Sequence, residues 1–307
     1  LFKGKLYFLI KDISKNKDYN VNLKDLFKLL TNEYISENSE QSIKELLLKD
    51  NLDIQNPKDI ESKIIYQIGV PNTITADITN SDEVFVLMNL KNVLDNVIAR
   101  TSSIIDSRVI LYMPYLPYAR HDRPMHNFDS HALKVFCNLI NSLNFTSVSI
   151  HDCHSDVGIG LLNNCVNVSQ DMLLSHLTDN ILNINDIDYI IAPDNGAVKK
   201  ASKIAEKFKL PLITCLKERD LATGHIIKYR ILDPIEKPGK ALIVDDICDG
   251  GATFNILAKS LKEDTPVTEI SLYVTHGIFS KGLDELFENI DHIYSYHPWI
   301  EDERLNT

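Results

Sequence analysis

The sequence predicts an α/β fold of two domains, each with a mainly parallel β-sheet flanked by helices. The first observation is that short apolar runs rich in β-branched residues recur along the chain, which is typical of buried parallel strands. These runs lie at residues 6–10, 84–88, 109–113, 148–150, 189–192, 212–215, 241–244 and 272–274. The second is that helical patterns lie between several of them. In residues 196–208, for example, the apolar side chains share one face at i, i+4, i+7 spacing.

The length of the chain supports two domains. At 307 residues it is long for one compact core and fits two α/β domains of about 150 residues each. Between Cys165 and Asp188 polar residues cluster and the apolar pattern is weak. We therefore place the predicted boundary in this region, with an N-terminal domain at residues 1–168 and a C-terminal domain at residues 169–307.

Composition excludes several classes of protein. The formal charge of −11, from 43 acidic and 32 basic residues, disfavours general attraction to nucleic acid or an anionic membrane. The 5 cysteines are widely spaced and include no Cys-x-x-Cys pair, so neither a disulfide framework nor a zinc site is indicated. The chain shows no basic-then-apolar leader and no long apolar stretch. We expect a cytoplasmic protein without nucleic-acid or membrane partners.

The strongest motif occupies residues 241–254, where an apolar strand is followed by two acids, a glycine pair and a helix start. Its candidate binding residues are Asp245, Asp246, Asp249, Gly250, Gly251, Ala252 and Thr253. Adjacent carboxylates at the carboxyl end of a parallel strand can bind ribose hydroxyls or a hydrated Mg²⁺. The glycines let backbone N–H groups approach a phosphate at the helix N-terminus. The alternative is that Asp249 or Thr253 only caps a helix after a tight turn.

Two further loops follow predicted strands and carry candidate ligands. Asp194 stands in Pro193-Asp194-Asn195-Gly196, which as an isolated sequence is more often a plain strand-to-helix connection. Its position one strand-helix unit before the Asp-Asp loop favours a binding role. His154 lies in a cluster of two histidines and two acids after the strand at residues 148–150. One imidazole there can bind a nucleotide's metal, or the cluster is only a polar loop.

Two cationic segments are candidates for phosphate contacts. The first follows the strand at residues 109–113 and contains Arg120, His121, Asp122 and Arg123. Arginine pairs suit polyphosphate and purine contacts. The second, Lys217-Glu218-Arg219, ends another strand and opens a polar loop that can serve as a catalytic lid, although such a run is usually only a solvated charge cluster.

Taken in order, these segments resemble the ribose-phosphate pyrophosphokinase (PRPP synthetase) family from roughly residue 64 to residue 299. The family's Tyr-x-x-Tyr-Ala-Arg-x-Asp is similar to residues 115–122, and its Pro-Asp-x-Gly to residues 193–196. Its metal-site histidine matches His154, and its catalytic Lys-x-Arg matches Lys217 and Arg219. Its phosphoribosyl loop matches residues 245–253, and its Thr-His-Gly-hydrophobic-Phe-Ser run matches residues 275–280.

The resemblance implies two phosphoribosyltransferase-type, Rossmann-like domains. It also implies that ATP donates its β,γ-diphosphoryl group to the anomeric hydroxyl of a ribose 5-phosphoryl acceptor, and that AMP leaves. By the same resemblance, His154 and Asp194 hold Mg²⁺, Asp245 and Asp246 contact the ribose, and Arg120 faces ATP. The family also implies a homo-oligomer, either a dimer or a hexamer.

Three segments depart from the family pattern. The nearest match to its adenine-binding segment, residues 70–74, lacks both the aromatic residue and the acid. The loop after Asp122 lacks the segment associated with phosphate-dependent regulation. The phosphate cradle reads Asp249-Gly250-Gly251-Ala252-Thr253 and loses one hydroxyl. Some relatives use ADP-ribose in NAD salvage, so ADP-ribose stays open as an acceptor beside ribose 5-phosphate.

Two other classes also stay open. A phosphoribosyltransferase shares the Asp-Asp loop but consumes the activated sugar, and has no use for a Lys-x-Arg lid or a second domain. A catalytically silent synthetase homologue would explain the altered residues 70–74. It does not explain why the candidate metal ligands, the Lys-x-Arg pair and the acid pair are all present.

Overall fold

The computed structural model describes residues 7–12, 17–22, 64–67, 72–101, 107–179, 181–219 and 226–307. The chain divides into two compact units. The first comprises Leu1–Ile150 and Ser155–Asn167, and the second comprises His151–His154 and Val168–Thr307. The short segment His151–His154 therefore packs with the second unit.

The first unit contains a seven-stranded sheet with strand order β2-β1-β3-β4-β5-β6-β7 among the described residues. Its strands are β1 (Tyr7–Asp12), β2 (Lys17–Asn22), β3 (Ile64–Gln67), β4 (Asn72–Ala76), β5 (Val109–Tyr112), β6 (Ser147–His151) and β7 (Cys165–Val168). Its helices are α1 (Ser81–Thr101), α2 (Ala132–Ser142) and α3 (Asp156–Leu161). Strands β4, β5 and β6 run parallel, whereas β2 pairs with β1 and β4 with β3 in antiparallel fashion.

The second unit contains another seven-stranded sheet, with strand order β10-β9-β8-β11-β12-β13-β14. Its strands are β8 (Tyr189–Ala192), β9 (Leu212–Arg219), β10 (Ile226–Ile231), β11 (Gly239–Cys248), β12 (Val267–Gly277), β13 (His292–Pro298) and β14 (Leu305–Asn306). Its helices are α4 (Gln170–Thr178), α5 (Val198–Phe208), α6 (Ala252–Asp264) and α7 (Asp284–Phe287), with a 3₁₀ turn at Ile184–Asp186. All described pairings are parallel except that of the edge strand β10 with β9.

Helices cover both faces of the second sheet. Along β11, Ile243 packs into the cluster that includes α6, whereas Leu242 and Val244 pack into the cluster that includes α4 and α5. Because successive side chains of a strand point to opposite faces, this central strand is buried on both sides and reads as a continuous apolar run. The predicted α/β class, with sheets flanked by helices, is confirmed.

One predicted strand is wrong. Residues 84–88 lie within helix α1, not in a strand. The side chains of Leu87, Leu90 and Leu94 are buried at i, i+3, i+7 spacing, which is the period of a helix. The helix begins with a capping box, because Asn80 Oδ1 accepts from the Glu83 N–H at 3.1 Å and Glu83 Oε2 accepts from the Asn80 N–H at 3.1 Å.

Candidate functional site

Four candidate site residues of the second unit lie at the carboxyl edge of its parallel sheet. Strand β8 is followed by Asp194, β9 carries Lys217 close to its end, and β11 carries Asp245 and Asp246. These three strands are neighbours in the order β9-β8-β11. In open α/β sheets, the crevice beyond the carboxyl ends of the strands is where ligands bind.

Asp194 and Lys217 form an ion pair. Lys217 Nζ lies 2.5 Å from Asp194 Oδ2, while Asp194 Oδ1 accepts hydrogen bonds from the N–H groups of Gly196 at 2.9 Å and Ala197 at 3.2 Å. Burial alone would raise the pKa of Asp194, but the hydrogen bond and charge of Lys217, together with the two N–H groups, lower it. Asp194 is therefore held as a carboxylate at the start of α5.

Asp246 is a buried carboxylate on which two donors converge. His154 Nδ1 lies 2.7 Å from Asp246 Oδ2, and Lys200 Nζ lies 3.0 Å from the same oxygen. Burial by itself would raise the pKa of Asp246, yet the His154 hydrogen bond and the Lys200 charge hold it well below its usual range. This arrangement keeps Asp246 ionised and orients the His154 ring.

Asp245 has the opposite electrostatic character. Burial raises its pKa well above the ordinary value, and the charges of Asp246 and Asp194 add to that effect. Its Oδ1 accepts from the Asp246 N–H at 2.9 Å, and its backbone oxygen accepts from Gln170 Nε2 at 2.6 Å. The two adjacent acids therefore differ, since only Asp246 is stabilised as a carboxylate by cationic or imidazole donors.

The segment that carries His154 is tied to the second sheet. Thr275 Oγ1 donates to Asp152 Oδ2 at 2.7 Å, and Lys200 Nζ lies 2.8 Å from Asp152 Oδ1. His276 Nε2 donates to the backbone oxygen of His151 at 2.9 Å. Asp152 adopts a left-handed backbone with φ 41°. These contacts fix the segment against β12 and α5, so His154 is presented from an anchored turn.

The predicted phosphate loop connects β11 to α6. The N–H groups of Phe254 and Asn255 donate to Gly251 O at 3.0 and 3.1 Å, so the N–H groups of Ala252 and Thr253 precede the helical ladder. Asp249 and Ala252 are exposed, Gly250 and Thr253 are half-buried, and Gly251 is buried. The loop thus has the helix-terminus geometry that suits an anion.

Gly251 is required by two features of this loop, and we expect Gly251→Ala to destabilise the protein. Its φ is 79°, and a Cβ there would lie 2.9 Å from Leu286 Cγ. The left-handed backbone alone costs a non-glycine residue about 1–2 kcal/mol, and the clash adds to that cost. Gly282→Ala is the matched control, since Gly282 has φ 74° and open space around its Cβ position. Urea denaturation should show the larger loss for Gly251→Ala, and equal losses would mean that Leu286 moves aside freely.

The predicted ATP-binding residues lie in the first unit, in the turn after β5. Arg120, His121 and Arg123 are exposed and Asp122 is half-buried. The Arg123 Nε atom lies 3.8 Å from Asp122 Oδ1. Two other predictions fall partly outside the described residues, namely the Arg219 side chain at the end of β9 and residues 70 and 71 of the segment whose residues 72–74 begin β4.

The donor set at the sheet edge fits a magnesium ion bound mainly through phosphates and water. Within the described residues, no group of three or more His, Cys, Asp or Glu side chains is arranged to hold a metal ion by itself. Mg²⁺ typically keeps several waters and takes one or two carboxylates plus substrate phosphates. Asp194 supplies such a carboxylate, and His154 keeps its Nε2 atom on the side away from Asp246.

Comparison with known proteins gives a consistent result. No family model matches the chain. The ribose-phosphate pyrophosphokinase of Mycoplasmopsis pulmonis is 27% identical over 239 residues, which cover 75% of this chain and 73% of that protein. The ribose-phosphate pyrophosphokinase of Staphylococcus aureus is 30% identical over 183 residues, and this match spans 56% of its length. The chain is therefore similar in sequence to ribose-phosphate pyrophosphokinases.

A solved structure supports the predicted fold. The phosphoribosylpyrophosphate synthetase of Mycobacterium smegmatis superposes with a TM-score of 0.61 over 79% of this chain and 77% of that chain, at 19% identity. At this identity the likeness establishes the two-domain phosphoribosyltransferase-type architecture alone. In the described part of the chain, no helix has the length and apolar character needed to span a membrane.

Lys200 was not predicted from the sequence as a site residue, although it contacts both Asp152 and Asp246. A signal was present, because Lys200 occupies the same helical face as the buried residues Ala201 and Ile204. A lysine on the apolar face of a predicted helix needs a buried partner. Gln170, whose amide holds the Asp245 backbone, gave no comparable signal.

Proposed function

We propose that this chain is an ATP-dependent pyrophosphokinase that transfers the β,γ-diphosphoryl group of ATP to the 1-hydroxyl of ribose 5-phosphate, giving PRPP and AMP. The observation that carries the proposal is the convergence of His154, Asp194, Lys217 and the Asp245-Asp246 pair at one sheet edge. The names of the relatives, which are ribose-phosphate pyrophosphokinases, agree with it.

The acceptor would bind at the end of β11. Asp245 and Asp246 accept hydrogen bonds from the ribose hydroxyls, and Asp246 is suited to this because its pKa is lowered. The N–H groups of Ala252 and Thr253 donate to the 5-phosphate at the N-terminus of α6, where the helix dipole favours an anion. Together these groups fix the sugar at both ends.

Diphosphoryl transfer requires in-line attack by the sugar's 1-oxygen on the β-phosphorus. The new O1–Pβ bond forms, the bond between Pβ and the oxygen bridging to Pα breaks, AMP leaves, and the hydroxyl proton is released. Catalysis of such a step is mostly positioning and charge stabilisation. Lys217 and Arg219, at the end of β9, neutralise the charge that develops on the phosphoryl oxygens.

A bound Mg²⁺ would neutralise phosphate charge and orient the ATP chain. We assign His154 and Asp194 as its protein ligands on the fit described above. Arg120, His121, Asp122 and Arg123 of the first unit are proposed as ATP-binding residues by resemblance to the family. Their exposed guanidinium groups are suited to phosphate or purine contacts.

ADP-ribose is the second candidate acceptor, and one feature of the loop favours it. Residues 250–252 are two glycines and an alanine, so this part of the phosphate loop has no side-chain hydroxyl. Ala252 is exposed. A diphosphate that continues into adenosine needs an open path from the loop. The reaction at the 1-hydroxyl would be the same, giving ADP-ribose 1-pyrophosphate.

The proposal is tested by AMP formation. With ATP and Mg²⁺, the protein should release AMP when ribose 5-phosphate or ADP-ribose is added, and EDTA should abolish release. The mass of the second product identifies the acceptor. If neither acceptor supports AMP release, while PRPP plus a labelled base gives a nucleotide, the protein is a phosphoribosyltransferase. Inactivity in both assays would indicate a catalytically silent homologue.

A further inference from the structure

Lys200 is a charged residue on the buried side of helix α5. It stands in the first helical turn, beside the fully buried Ala201 and one turn before the fully buried Ile204. Only 24% of its side chain is exposed. The helix dipole disfavours a cation in the first turn, so helix stability does not account for a lysine here. The contacts of its Nζ atom therefore have to explain why a lysine occupies this position.

Lys200 connects two segments that carry the candidate site. Its Nζ atom lies 2.8 Å from Asp152 Oδ1 and 3.0 Å from Asp246 Oδ2. Asp152 belongs to the turn that presents His154, and Asp246 lies in β11, two residues after the apolar run 241–244. Since His154 also donates to Asp246 Oδ2, at 2.7 Å, the lysine and the imidazole hold one carboxylate from two sides.

The burial of the two acids makes the lysine necessary. The side chains of Asp152 and Asp246 are only 2% and 7% exposed, so both carboxylates are largely removed from water. Two carboxylates in so dry a space repel each other unless a cation compensates them. Thr275 gives Asp152 one neutral hydrogen bond, but within the described residues Lys200 is the ammonium group in contact with both acids.

We propose that Lys200 is a positioning residue of the acceptor site, which orients Asp246 toward the sugar by bridging it to Asp152. This inference rests on the proposed function, in which Asp246 binds ribose hydroxyls. Lys200 does not touch the reacting atoms. It fixes the direction of the Asp246 carboxylate by tying it to Asp152, whose turn is also anchored by Thr275 and His276.

The electrostatics agree with a permanent bridge. Burial alone would lower the pKa of Lys200, but the charges of Asp152 and Asp246 raise it above its ordinary value. The lysine is therefore charged throughout the pH range in which enzymes are assayed.

The test is a set of variants at Lys200 and Asp152, assayed for AMP release and for thermal stability. Lys200→Met should raise the KM for the sugar acceptor at least tenfold, leave the KM for ATP within twofold, and lower the melting temperature by several degrees. Lys200→Arg should recover most of the acceptor affinity because it keeps the charge. Lys203→Met, a change at an exposed lysine of the same helix, should behave as wild type.

A second change separates charge compensation from simple loss of packing. Asp152→Asn should partly restore the melting temperature and acceptor KM of Lys200→Met, since it removes one of the two uncompensated carboxylates. The same change should give no improvement in the wild-type background. If Asp152→Asn worsens Lys200→Met, or if Lys200→Met has wild-type acceptor KM and melting temperature, the inference is wrong.

The assays of the wild type and of Lys200→Met together separate a failure of this inference from a failure of the proposed function. Wild-type protein without AMP release on any acceptor overturns the proposed function and, with it, the role of Lys200 in acceptor binding. An active wild type with an unaffected Lys200→Met variant overturns the inference about Lys200 alone.

Discussion

Replacing Lys217 by alanine should lower kcat by about 100- to 1,000-fold, the loss typical of removing one preorganised donor to a developing negative charge. Lys217 Nζ lies at the sheet edge in contact with Asp194, a candidate Mg²⁺ ligand. The phosphoryl oxygens of a bound Mg²⁺–ATP complex would therefore lie close to this ammonium group. If Lys217 acts mainly in the transition state, the acceptor KM should change by less than about threefold.

Steady-state kinetics of AMP release would check this, with Lys228→Ala as the control. Lys228 also forms an ion pair, 2.9 Å from Asp264, but it is exposed on the neighbouring strand β10. Its removal should leave kcat unchanged, because exposed pairs contribute little. A rise in KM with unchanged kcat for Lys217→Ala would show that the lysine serves ground-state binding only.

Asp246→Asn should reduce both activity and stability, whereas Asp245→Asn should not reduce stability. The first change removes the carboxylate on which Lys200 and His154 converge, and breaking a buried pair in this way costs about 3 kcal/mol or more. The second removes a carboxyl group whose charged form is already disfavoured by burial and by Asp246. The two neighbouring substitutions are therefore expected to differ in their effect on stability.

The pH dependence follows from the same pKa directions. The folded-state pKa of Asp246 lies below its unfolded value, so its contribution to stability is present above the unfolded pKa and lost as pH falls through the folded pKa. The pKa of Asp245 is raised, so its contribution is present below the unfolded pKa and lost as pH rises through the folded pKa. Urea denaturation of both variants at pH 7, pH 4 and pH 2.5 should show the Asp246→Asn penalty largely retained at pH 4, which is still above the ordinary aspartate pKa of 3.8, and shrinking at pH 2.5. A penalty independent of pH would contradict the electrostatic explanation.

Much of the second unit was predictable because its signals are local. The apolar run at residues 241–244 lies in β11, and that at residues 189–192 is β8 itself. Each is followed within two residues by an acid that lies at the sheet edge. Such a motif needs no knowledge of distant residues, because a parallel strand always delivers its next residues to the same edge.

The remaining features depend on contacts between distant parts of the chain. Lys200 and Asp246 are separated by 46 residues, and His154 and Asp246 by 92. No local pattern specifies that these side chains meet. The misassigned run at residues 84–88 shows a different limit, since a short apolar stretch fits a strand or a buried helix equally well. The Asn80–Glu83 capping box was the local evidence that favoured the helix.

The central claim is that two phosphoryl groups move together from ATP to the sugar. It is tested most directly by ³¹P NMR of wild-type protein with ATP, Mg²⁺ and ribose 5-phosphate. The account predicts that AMP appears at the same rate as a diphosphate attached to the sugar's 1-position. The appearance of ADP with a sugar monophosphate ester at that position, or of ADP and inorganic phosphate alone, would contradict it.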